Sequence, residues 1–165
     1  MRTSLILAIL MIVTTSSASA DISTSAVFGD SMVLQREKPI HIWGWVEPEA
    51  SVTVALAGNE VTATSDADGR FDVDLPKMEA GGPHELSIKS GGDTVQFSDA
   101  LIGEVWLCSG QSNMQWAVQQ SNDADLEALS ADYPQIRLIT VPQVGTQEPQ
   151  KTFKGDWSAC TPETV

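Results

Sequence analysis

The chain has 165 residues, 42% hydrophobic and 19% charged, an ordinary globular composition with enough apolar material for a core. Nine Lys+Arg against 22 Asp+Glu give a formal net charge of −13, which excludes the electrostatically driven binding of nucleic acid or anionic membrane. The acidic residues are dispersed among Val, Ile, Leu and Trp, which excludes a disordered acidic tail, and two cysteines exclude a disulfide-built miniprotein or a multi-cysteine zinc module.

Arg2 supplies a positive start, residues 5–13 are unbroken apolar, and Ala18-Ser19-Ala20 makes a small-residue cleavage signature before Asp21. This pattern predicts a secretory signal peptide over residues 1–20, because the apolar run is too short to span a bilayer. Nothing later is long and apolar enough for a membrane span, so the mature chain is expected to be secreted or periplasmic. Cys108 and Cys160 then enter an oxidising compartment. A disulfide is permitted there, and the apolar run around Cys108 suits a buried free thiol equally well.

Residues 21–100 read as short strands and turns. Residues 40–46 (IHIWGWV), 51–56 (SVTVAL), 61–64 (VTAT), 71–75 (FDVDL) and 85–88 (ELSI) alternate with a period of two. Between them lie Ala57-Gly58-Asn59, Asp66-Ala67-Asp68-Gly69, Gly81-Gly82-Pro83 and Gly91-Gly92-Asp93, all turn-forming. Such spacing predicts an antiparallel all-β sandwich. His41, between Ile40 and Ile42, is expected to point outward.

At Ala100 the texture changes. Residues 101–108 are mostly apolar, as a strand covered on both faces would be. Residues 115–120 can be helical, and Asn122 or Asp123 could cap a second helix over 124–131. Residues 136–141 form the next expected strand, stopped by Pro142. Strand, helix, strand begins an α/β unit with a parallel sheet. Residues 101–165 therefore read as the first part of a second domain, truncated before its sheet is complete.

Two serines are candidate nucleophiles, in Gly29-Asp30-Ser31 and Gly110-Gln111-Ser112. The first matches the opening signature of the GDSL esterases, but it lacks the preceding buried strand and following helix that would present an Oγ at a sheet's carboxyl end. Ser31 reads as a turn residue. Ser112 has that context, and Gly110 permits the tight turn before it. In the first turn of a helix the N–H of Ser112 is unsatisfied and can serve as an oxyanion donor. A plain helix-capping role suits Ser112 as well. Met114 stands where the ordinary Gly-x-Ser-x-Gly elbow would need its second glycine. Trp116, four residues after Ser112, is placed to line a site.

The block Ser109-Gly110-Gln111-Ser112-Asn113-Met114, preceded by Gly103-Glu104-Val105-Trp106, resembles the nucleophile block of the sialate O-acetylesterase family, an SGNH-type branch of the carbohydrate esterases. Met32-Val33-Leu34-Gln35, Trp43-Gly44-Trp45 and Trp157 with Cys160-Thr161-Pro162 are similar to that family's N-terminal half. The resemblance implies removal of O-acetyl groups from sugars, sialic acid being the namesake, through an acetyl-enzyme on Ser112. It places Gly110, Gln111, Asn113 and Trp116 around that serine, as oxyanion or site-lining residues. The family takes its base from a late Asp-x-x-His pair, for which this sequence has no match: His41 and His84 precede the serine, with Lys38 and Gly81 three residues before them. A serine without a positioned base is a poor nucleophile. The chain is accordingly expected to be an N-terminal fragment that lacks the Asp and His of the triad and is inactive alone.

Alternatives are an acetylxylan-type esterase or a non-catalytic β-sandwich module that binds glycans. Trp43, Trp45 and Trp116 could stack on sugar rings, and burial in the sandwich or under the helix is the commoner fate of such residues. The only partner expected is an O-acetylated sugar. No cofactor or metal is expected: Asp66-Ala67-Asp68-Gly69 starts like a calcium loop, but Arg70 takes the next ligand position and the loop's closing glutamate is missing.

Overall fold

The alternation over residues 40–75 is realised strand for strand in the computed structural model, which describes residues 21–165. The signal peptide expected over 1–20 lies outside the described residues. Eight strands come first: β1 (Ser23–Thr24), β2 (Val33–Gln35), β3 (Ile40–Trp45), β4 (Ser51–Leu56), β5 (Asn59–Thr64), β6 (Arg70–Leu75), β7 (Gly81–Ser90) and β8 (Asp93–Gly103). They form a three-stranded sheet, β1-β3-β6, and a five-stranded sheet, β2-β8-β7-β4-β5.

Side-chain alternation decides which face of each strand is buried. In β4, Val52, Val54 and Leu56 turn inward, while in β6 Phe71, Val73 and Leu75 do so and Arg70, Asp72 and Asp74 face out. β3 and β6 pair antiparallel from Ile40↔Leu75 to Trp45↔Arg70, which sets Ile42 opposite Val73. The inward residues of both sheets, with Met32, Leu86, Ile88 and Ile102, merge into one core. Each fully buried Val, Leu or Ile contributes roughly 1.5–3 kcal/mol, so this shared core is what holds the two sheets together.

Three of the four expected turns form, whereas Gly81-Gly82-Pro83 opens β7 instead, as an irregular stretch of its pairing with β8. Asp66 Oδ1 accepts from the N–H groups of Asp68 and Arg70 at 2.9 and 2.8 Å, so the 66–69 segment is a closed turn that carries the chain from β5 in one sheet to β6 in the other. Gly69 has φ +78°, and a Cβ there would stand 2.2 Å from the Val46 carbonyl oxygen. Only glycine fits that position. His41 does point outward: its Nδ1 lies 2.8 Å from Asp74 Oδ1 and its Nε2 3.1 Å from Asp72 Oδ1.

Beyond position 100 the structure departs from the expected pattern. β8 runs from Asp93 to Gly103, so residues 101–103 belong to the five-stranded sheet, where they pair parallel with Val33–Gln35. The strand expected over 101–108 ends there. Trp106 and Leu107 are 83% and 90% exposed, the reverse of a strand covered on both faces. The helix expected over 115–120 is replaced by two 3-10 turns, Ser112–Gln115 and Val118–Gln120. The second helix does form, as α1 (Ala124–Ser130), although Asp123 caps it without a side-chain hydrogen bond.

β9 (Tyr133–Leu138) pairs antiparallel with β10 (Ser158–Cys160), matching Ser158 with Leu138 and Ala159 with Arg137. The expected parallel sheet is therefore absent among the described residues in this region. A parallel strand needs neighbours and covered faces, and residues 104–110 have neither. α1 shows the same imbalance: Ala131 at its end is buried while Leu126 and Leu129 are exposed. Cys108 is exposed and Cys160 buried, both as free thiols, so neither the disulfide nor a buried Cys108 is observed.

Residues 137–157 dock on the two-sheet body through specific contacts. Trp157 Nε1–H donates to the Val27 carbonyl at 2.9 Å, and the Ala26 N–H donates to Thr152 Oγ1 at 3.0 Å. Lys151 Nζ lies 4.8 Å from the Trp45 ring centroid, a cation–π distance.

Candidate functional site

The serine block begins in extended backbone and tightens abruptly. Gln111, at φ −96° and ψ −157°, precedes the Ser112–Gln115 turn, and its carbonyl accepts the Met114 N–H at 2.9 Å. A Cβ on Gly110 would stand 2.7 Å from Met114 Cγ, so the absent side chain is what lets Met114 fold back over the turn. Ser112 leads this turn, where N–H groups have no partner within the turn itself. Its hydroxyl makes no hydrogen bond among the described residues.

Gly110, Gln111, Ser112, Asn113 and Trp116 are all exposed. Asn113 and Trp116 line an open depression of about 380 Å³. Local chain direction alone brings these residues together, because they lie within seven positions of one another. No histidine joins them. His41 is held between Asp72 and Asp74 and stacks against Trp43 at 5.5 Å, while His84 sits on β7 in the sheet. Among the described residues, no group of three or more His, Cys, Asp or Glu is placed to hold a metal.

Ser31 lies in a different environment, in a turn with its hydroxyl engaged. It adopts φ +63°, and its Oγ–H donates to Asp99 Oδ2 at 2.9 Å. Asp99 is itself left-handed, at φ +56°. Arg137 from β9 grips both carboxylate oxygens of Asp99, Nη1 at 2.5 Å and Nη2 at 3.1 Å, and Nη1 also reaches the Ser31 carbonyl at 3.3 Å. The Arg137 guanidinium, helped by the Ser31 hydroxyl, holds the Asp99 carboxyl below the usual carboxylate range. Next to it, the N–H and hydroxyl of Ser98 donate to Asp30 Oδ1 and hold that carboxyl down too.

This Ser31–Asp99–Arg137 cluster escaped the sequence reading. Its members are spread over residues 31, 99 and 137, and no local periodicity marks them. A second feature that went unread is a cleft of about 520 Å³ between residues 26–31 and 153–157, lined by Phe28, Asp30, Phe153, Lys154, Asp156 and Trp157 among others.

No protein-family model matches the chain. It is 36% identical over 154 residues to the sialate O-acetylesterase of Mus musculus, covering 85% of this chain and 28% of that protein. It is 35% identical over 164 residues to the sialate O-acetylesterase of Homo sapiens, covering 90% of this chain and 31% of that protein. Among solved structures it is similar to a carbohydrate acetylesterase from Xanthomonas citri, with a TM-score of 0.84 and 36% identity over 87% of this chain and 34% of that one. The chain thus spans about a third or less of the length of these relatives.

Proposed function

Since the chain belongs, over the stretch it shares with them, to a sialate O-acetylesterase-like family, we propose that it forms part of a serine esterase that removes O-acetyl groups from sugars, sialic acid first among them. One observation carries the choice of nucleophile: Ser112 leads a tight turn with its hydroxyl unengaged, beside the Asn113–Trp116 depression.

In this mechanism Ser112 Oγ attacks the acetyl carbonyl carbon and passes its proton to a base. The oxyanion accepts a hydrogen bond from the Ser112 N–H, with Gly110, Gln111 and Asn113 shaping the loop around it. The bond to the sugar oxygen breaks, and the sugar leaves with a proton. Water then releases acetate from the acetyl-serine. Trp116 offers an apolar wall to the acetyl or sugar group. The two sheets are an accessory β-sandwich over residues 21–100, and residues 101–165 begin an SGNH-type domain. Residues 1–20 direct secretion, to the periplasm or outside the cell.

The base is not among residues 21–165 in this reading, so the chain is essentially inactive alone. The exposed Trp106, Leu107, Leu126 and Leu129 support it, since apolar side chains at that density ordinarily face a partner surface. An acetylated xylan, a neutral sugar, is the second candidate substrate; the net charge of −13 does not fix the charge of the pocket and selects neither.

The test exchanges the matching stretch of the Xanthomonas citri acetylesterase for this chain and follows acetate release from O-acetylated sialic acid and acetylated xylan. Activity of the hybrid that Ser112→Ala abolishes is the expected result. A folded, active hybrid indifferent to Ser112→Ala would reject Ser112 as nucleophile, and full turnover by the chain alone would reject the missing base.

A further inference from the structure

We propose that the cleft between residues 26–31 and 153–157 is a binding site for a neutral saccharide, separate from the serine block. It shares no lining residue with the Asn113–Trp116 depression. Its volume of about 520 Å³ falls within the roughly 300–1,000 Å³ typical of small-molecule sites.

Two of the aromatic side chains in the lining are held in place, and Asp30, Lys154 and Asp156 keep polar atoms unengaged while the Ser31 hydroxyl is spent on Asp99. Phe28 is buried and packs edge-on against Trp43 with ring centroids 4.6 Å apart. The hydrogen bond from Trp157 Nε1 to the Val27 carbonyl fixes the indole of the opposite wall. Phe153 adds a third, partly exposed ring. Asp30 uses Oδ1 for Ser98 and leaves Oδ2 without a hydrogen bond. Lys154 and Asp156, only two residues apart, form no ion pair or hydrogen bond among the described residues.

These groups match a sugar better than other small ligands. Phe28 is buried and cannot stack, so the half-buried Trp157 and Phe153 are the rings left to meet the C–H face of a pyranose. Carboxylates accept from its hydroxyls, and an ammonium donates to a hydroxyl or ring oxygen. Two carboxylates against one ammonium leave the lining negative, which disfavours an acidic sugar and selects a neutral one. The inference goes beyond the esterase reading and uses none of its chemistry.

Isothermal titration of the chain with lactose, xylobiose and 3′-sialyllactose tests it. Saturable binding of at least one neutral disaccharide is expected, with a Kd on the order of millimolar. Asp156→Asn and Lys154→Ala should each weaken it about tenfold, a change of about 1.4 kcal/mol. Both side chains are exposed and unbonded, so both variants should keep the parent circular dichroism. Ser112→Ala should leave the Kd unchanged. The proposal is overturned by an absence of saturation with both neutral sugars, or by parental affinity in both cleft variants. Loss of binding in Ser112→Ala, or tighter binding of 3′-sialyllactose than of lactose, overturns it equally. Failure of the hybrid esterase would not affect these outcomes.

Discussion

Arg137 and Asp99 form a two-pronged ion pair, 2.5 and 3.1 Å, that pins β9 to the two-sheet body at a point where both Asp99 and its hydrogen-bond partner Ser31 are in the left-handed region. Left-handed backbone at non-glycine residues costs on the order of 1–3 kcal/mol each and persists only where the surroundings enforce it. Here Arg137 reaches the Asp99 carboxylate and the Ser31 carbonyl together, and the Ser31 N–H also donates to the Ser98 carbonyl at 3.0 Å, so several contacts share the enforcement.

The two halves of this pair should not be equivalent. The Arg137 side chain is 8% exposed and that of Asp99 42%. Asp99→Ala leaves a buried guanidinium without its carboxylate, whereas Arg137→Ala leaves a carboxylate that still has water and Ser31. Asp99→Ala should lower stability by about 1–3 kcal/mol, and Arg137→Ala by less, in urea unfolding at neutral pH. Equal losses would mean that packing rather than charge sets the cost.

The same pair gives a pH signature. Because the Asp99 carboxyl is held below its ordinary value, the stability it adds is fully present above about pH 4. It is lost as pH falls further, through the lowered folded-state value. The difference in urea midpoint between the parent chain and Asp99→Asn should therefore shrink as pH falls from 5 to about 2. A constant difference would show that the charge contributes nothing.

Two glycines separate backbone strain from steric collision. Gly58 has φ +81° with open space around it, while Gly69 has φ +78° with the Val46 carbonyl where a Cβ would go. Gly58→Ala should cost about 1 kcal/mol and Gly69→Ala several times that. Thermal unfolding of the two variants decides it.

Removing the Ser112 hydroxyl should leave the melting temperature within about 1 °C of the parent, since it has no hydrogen bond to lose. Phe71→Ala, in the shared core, should cost roughly 3–5 kcal/mol. A large stability loss in Ser112→Ala would assign that serine a structural role.

The two cysteines should differ in reactivity. Iodoacetamide should alkylate exposed Cys108 in the native chain and reach buried Cys160 only after denaturation. Mass spectrometry of tryptic peptides reads both. Protection of both until reduction would establish the disulfide that the structure lacks.

The strands between residues 40 and 88, the turns at 57–59 and 66–69 and the position of the serine block were legible in the residues alone, whereas Gly81-Gly82-Pro83, read as a turn, is drawn into β7. Each legible feature rests on local physics: a period of two, turn residues with special backbone needs, or six adjacent residues in one loop. Tertiary structure decided the rest. β8 carries Asp93–Gly103 into the five-stranded sheet because Ile102 joins the shared core, a pairing that no local pattern marks. Residues 104–110 look like a buried strand in composition, yet apolar residues become a buried strand only where a second surface covers them. Arg137 finds Asp99 across 38 residues, and Trp157 meets Val27 across 130, through chain folding alone. Those long-range contacts create the saccharide cleft, while the Ser112 turn needs no neighbour more distant than Met114 to take its shape.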